Sequence, residues 1–139
     1  MIRIKIQIQG EPDTVPFTRI FDYPNESDEN IFYHSLGMVK RKLAAKLRIN
    51  TNEALTLYCG HIVDQLRSHV SVDDIEKSAS KVLSDEDVMI GVPQTLSTIK
   101  FEAMVNVMSE KSIVLRQPIL TTSYILTDNR NADKKIDIQ

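Results

Sequence analysis

Isoleucine and polar residues alternate without a break through Met1-Ile2-Arg3-Ile4-Lys5-Ile6-Gln7-Ile8-Gln9, the period of a strand with one face buried and the other wet. Gly10-Glu11-Pro12-Asp13 carries turn chemistry, and Val15 to Phe21 returns as an antiparallel partner, with Pro16 marking a bulge or the start of pairing. The parity of Phe17-Thr18-Arg19-Ile20-Phe21 is mixed, which leaves the inner face of this second strand open. The period then changes. Phe32, Leu36, Val39, Leu43 and Leu47 recur at steps of four, three, four and four, so a helix would align them on one stripe that packs across a sheet. Ser27 or Asp28 is the expected N-cap, with acidic residues in the first turn where they suit the helix dipole. Gly37 costs a helix interior about 1 kcal/mol relative to alanine and marks either a kink or a later start at Met38.

Beyond the helix, Leu55-Thr56-Leu57-Tyr58-Cys59-Gly60 reads as a strand, followed by His61-Ile62-Val63-Asp64 and by Val70 to Ile75 as a turn segment. Asp87-Val88-Met89-Ile90-Gly91-Val92 reads as another strand. From Thr98 to Met108 the alternation returns, with Ile99, Phe101, Ala103, Val105 and Val107 on one face. Ser109-Glu110-Lys111-Ser112 reads as a turn, and Ile113 to Leu126 is a further apolar segment broken by Pro118.

That order of elements resembles the β-grasp of the ubiquitin superfamily across residues 1–92. Val39, Leu43 and Ile49 match the family's helix and the isoleucine after it, Gly60 falls on the turn glycine after the third strand, and Val70 with Ile75 matches the loop over the core. The resemblance implies an α+β fold: a mixed sheet crossed by one helix, strand 1 lying parallel to Val88–Val92 at its centre, and a C-terminal β-rich extension. It divides the chain into a ubiquitin-like domain over 1–92, an extension over 93–127 and a disordered tail over 128–139, since Asp128 to Lys135 holds too little apolar content to fold.

Composition limits the chemistry. With 139 residues, 42% hydrophobic and 26% charged, the chain is an ordinary globular length and balance, and no apolar run approaches a membrane span. The single Cys59 excludes an internal disulfide and, with a strand in place of a signal peptide at the start, indicates the cytoplasm or nucleus. A net charge of −2 gives no bias toward nucleic acid. The basic cluster Lys40, Arg41, Lys42, Lys46 and Arg48 has no interleaved aromatics to stack bases, so it suits phosphate groups, an acidic partner or, most simply, a solvated helix face. Cys59, His61 and His69 fit no paired zinc template, and four glycines provide no phosphate loop or nucleotide fingerprint. No metal, cofactor or catalytic residue is expected.

The ubiquitin-like resemblance implies a non-catalytic interaction subunit or adaptor that docks on other proteins by its sheet face and extension. Its expected contact residues are Leu57, Ile99, Phe101, Val105, Val107, Lys40, Lys42 and Lys46. Pro93 directly after the last family strand, and no Gly-Gly pair anywhere, argue against diglycine conjugation. The alternatives are a ubiquitin-like modifier, an adaptor of the elongin B type from cullin ligases, whose continuation resembles Ile90-Gly91-Val92 and Phe101-Glu102-Ala103-Met104, and a small enzyme using Cys59 and His61.

Overall fold

The computed structural model describes residues 1–105 and 109–120. Among these residues four antiparallel strands form one sheet in the order β2-β1-β3-β4, namely β1 Ile2–Gln9, β2 Phe17–Tyr23, β3 Thr98–Val105 and β4 Lys111–Arg116. Helices α1 Glu26–Ala44, α2 Thr51–Arg67, α3 Val72–Ala79 and α4 Val92–Thr95 occupy the chain between β2 and β3, with a short 3-10 turn at Asp85–Asp87. None is long and apolar enough to cross a membrane.

The alternation in β1 does what its period requires. Ile2, Ile4, Ile6 and Ile8 are buried while Arg3, Lys5, Gln7 and Gln9 are exposed. Register carries the same face across the sheet: Ile4 lies opposite Phe21 on one side and Ala103 on the other, and Ile6 lies opposite Arg19 and Phe101. Phe101 in turn faces Ile113 of β4. The inner face of β2 is therefore that of Phe17, Phe21 and Tyr23, with Ile20 turned outward and largely exposed. Residues before and after position 92 enter one continuous core, because β3 pairs along the whole of β1.

The expected parallel pairing of β1 with Val88–Val92 is absent: both neighbours of β1 are antiparallel. Instead of a strand, Ser84 opens the Asp85–Asp87 turn by exchanging hydrogen bonds with Asp87, Val88 makes one isolated parallel bridge to Ile49, and Gly91 at φ 93° turns the chain into α4. Pro93 suits that first helical turn, where its missing N–H costs nothing.

A second correction concerns Leu55–Gly60, which lies inside α2 and not in a strand. Leu55 and Leu57 alternate over too short a window to separate the two periods. Over seventeen residues the pairs Ala54/Leu55, Tyr58/Cys59 and Ile62/Val63 recur every fourth position, the spacing of a helix buried on a broad face. Asn50 and Glu53 form a reciprocal capping box at its start. Gly60 serves packing: a Cβ there would stand 2.8 Å from both Leu36 methyls, so glycine lets α1 and α2 approach closely. Val72 to Ile75, expected as a covering loop, opens α3, capped by Ser71. The β-grasp topology is thus replaced by an antiparallel α+β arrangement with several helices on one sheet face.

The α1 stripe is real but shorter than its sequence pattern. Phe32, Leu36 and Val39 are buried and Leu43 packs against the core, whereas Leu47 falls beyond the helix and is 54% exposed. Asn25, two residues before the expected cap, accepts the Asp28 N–H at 2.9 Å. Gly37 sits within an unbroken helix.

Candidate functional site

Cys59 and His61 sit two residues apart on α2, so the helical twist sends their side chains to different sides. Cys59 is completely buried, and burial pushes its thiol well above the ordinary range. A thiolate is the nucleophilic form, so this group is inert in the folded chain. His61 points toward α3, where its Nε2 lies 2.7 Å from Ser78 Oγ; burial lowers its pKa, opposed by hydrogen bonding at Ile75 and the charge of Asp64. The nucleophile–base pair of the small-enzyme alternative is not assembled. Among the described residues no group of three or more His, Cys, Asp and Glu side chains is gathered to hold a metal ion.

The most interconnected polar cluster is structural. Glu29 of α1 receives the α-amino group of Met1 and, at 3.0 Å, the Arg67 guanidinium from the end of α2; Arg67 also donates to Tyr33 Oη at 2.6 Å. The Met1 ammonium foremost, with Arg67 behind it, holds the Glu29 carboxyl below its usual range despite partial burial. Beside it, the Phe21, Tyr23, Phe32 and Tyr33 rings pack edge-on or tilted at 5.3–6.4 Å between centroids. Together these contacts pin the end of β2 and the start of α1 to the sheet.

The expected contact residues divide sharply. Leu57 is buried on α2, and Ile99, Phe101 and Val105 line the inner face of β3 within the chain's own core. Val107 lies outside the described residues, as does the tail over 128–139. Lys40 is exposed on α1, Lys42 pairs with Glu53 at 2.6 Å, and Lys46 is exposed just past the helix in a left-handed conformation, φ 64°. Lys100 projects outward, and Glu102 is partly covered. On the surface, the exposed Lys40 and Lys46 are accompanied by apolar side chains on both helix and strand: Ile31 and Met38 on the outer side of α1, Met89 with Ile90 beside the Ile49–Val88 bridge, and Ile20 on the outer face of β2. Ile31 and Met38 stand seven residues apart, a helical repeat off the Phe32 stripe that the sequence already carried.

Residues 23–119 match the family model described as urease, gamma subunit. This match covers α1 through β4 and overturns the ubiquitin-like reading, together with the adaptor, modifier and elongin B-type functions that rested on it. The resemblance follows the order of short apolar runs, and two of its diagnostic strands are helix or turn. What stands is coarser: an α+β chain, akin to a subunit of a multiprotein enzyme. Residues 1–22, with β1 and all but the last residue of β2, lie outside the match.

Proposed function

Because this chain belongs to the urease gamma-subunit family, we propose that it is a non-catalytic subunit of a urease-type enzyme complex. The family match over 23–119 carries the reading. It is supported by the site chemistry: the lone cysteine is buried and protonated, the nearby histidine faces a serine on another helix, and the strongest ion-pair cluster joins α1, α2 and β1. The role left for such a body is to supply shape and contact area to other protein subunits. Lys40 and Lys46, exposed at the C-terminal half and end of α1, are the members of the expected contact set placed to meet an acidic surface. Assembly in the cytoplasm, without membrane insertion, belongs to the same reading.

Affinity purification of the full chain from cells that express the remaining urease subunits tests it. The other subunits should co-purify and urea hydrolysis should reside in the complex, with the isolated chain inactive. Urea hydrolysis by the isolated chain, or purification without any urease subunit, would overturn the proposal.

A further inference from the structure

The sheet ends in two edges of unlike character. At the β4 edge, α3 lies alongside and Glu76 Oε2 accepts the Val114 backbone N–H at 2.7 Å, so a carboxylate occupies a position an added strand would need. Among the described residues the β2 edge is flanked by no further strand. Along it Thr18, Arg19, Ile20 and Asp22 are exposed, Ile20 at 58%. Every second residue of an edge strand turns its N–H and C=O away from the sheet, a template for pairing with another strand.

The sequence of this edge is self-complementary. We propose that β2 is a homodimerisation edge, at which a second copy of this chain pairs antiparallel about a two-fold axis through Ile20, joining two four-stranded sheets into one. In that register Ile20 meets Ile20 of the second copy, Arg19 meets Phe21, Thr18 meets Asp22 and Phe17 meets Tyr23. Each pair is favourable: apolar on apolar, guanidinium on an aromatic ring, hydroxyl on carboxylate, and ring on ring. Arg19 already lies 5.1 Å from the Phe17 ring centroid within the chain, so its cation stands over the aromatic side of this strand before any partner arrives.

Charge selects this register over its neighbours. A shift of one residue would place opposed side chains on different faces. Moving the axis to Arg19 sets the two guanidinium groups against each other, and moving it to Asp22 sets carboxylate against carboxylate. An axis at Phe21 presses exposed Ile20 against Asp22. Of the axes at Arg19, Ile20, Phe21 and Asp22, that at Ile20 alone leaves no like charges opposed and no carboxylate on an apolar side chain, and as the midpoint of β2 it is the axis that pairs all seven residues of the strand.

Since β2 lies almost wholly outside residues 23–119, this edge adds to the family-matched body without consuming its helical surface. The inference is therefore independent of the assembly reading above. A seven-residue strand pair forms a small interface, so the dimer should be weak, with a dissociation constant of roughly 10–100 µM.

Sedimentation equilibrium of the full chain across that range should show monomer and dimer in exchange, and Ile20→Asp should abolish the dimer while leaving the thermal transition in place. The register is read by cysteine cross-linking, for which the buried Cys59 is a silent background. Under mild oxidation Ile20→Cys should give a disulfide-linked dimer, because directly opposed residues stand within disulfide reach. Thr18→Cys and Asp22→Cys should each fail alone and cross-link when mixed. A monomer at every concentration, a dimer unaffected by Ile20→Asp, or equal self-linking by all three cysteine variants would overturn the proposal. Should Ile20→Asp unfold the chain, the cross-linking pattern alone decides.

Discussion

Replacing Phe101 with alanine measures how far β3 belongs to the chain's own core. Phe101 has no exposed surface, and its neighbours across the sheet, Ile6 of β1 and Ile113 of β4, are equally buried. Deleting a buried aromatic ring costs about 3–5 kcal/mol, the larger values arising where the surroundings cannot collapse into the cavity. Here collapse is resisted on both sides, because continuous hydrogen-bonded ladders hold β1 and β4 at fixed spacing from β3. A cost near the top of that range is therefore expected, out of a total stability of roughly 5–15 kcal/mol. For a chain of this size it corresponds to a fall in melting temperature of roughly 10–20 °C. Urea unfolding followed by circular dichroism gives the free energy directly. Lys100→Ala, at an outward position on the same strand, serves as the control and should stay within about 0.5 kcal/mol of the parent. A loss below about 1 kcal/mol for Phe101→Ala would refute the argument that this ring is packed irreplaceably between two fixed strands.

Two other predictions concern titratable groups. Glu29 has its pKa lowered in the folded chain, chiefly by the Met1 ammonium and then by Arg67. Its ionised form therefore stabilises the fold above the unfolded carboxyl pKa of about 4.3, and that contribution is lost as pH falls through the depressed folded value. Glu29→Gln should be less stable than the parent at neutral pH, with the gap closing on acidification; a gap independent of pH would count against the ion pairs. Cys59 should resist a thiol reagent in the folded chain and react stoichiometrically on unfolding, because burial holds it protonated and out of contact with solvent. Rapid labelling under native conditions would show that the α2 packing is open.

How much of this could be read beforehand differs by element, for one physical reason. The strands β1 and β3 declare themselves because a half-buried strand writes its two faces into adjacent residues, and Ile2 to Ile8 and Ile99 to Val105 do so locally. The α1 stripe from Phe32 to Val39 is likewise carried by spacing within one element. Helix α2 hides its period because it is buried on a broad face: with Leu55, Leu57, Tyr58 and Cys59 all inside, five or six residues of it look like a strand. Which strands meet is a still less local property. β1 could pair with any complementary edge, and its choice of β3 over Val88–Val92 depends on helices folding the chain back from α4, with Gly91 in a left-handed turn. The docking residues follow the same division. Apolar side chains at Ile99, Phe101 and Val105 announce burial, but whether a partner or the chain itself covers them is decided by the sheet that forms beside them, and here β1 and β4 and the helices close over them.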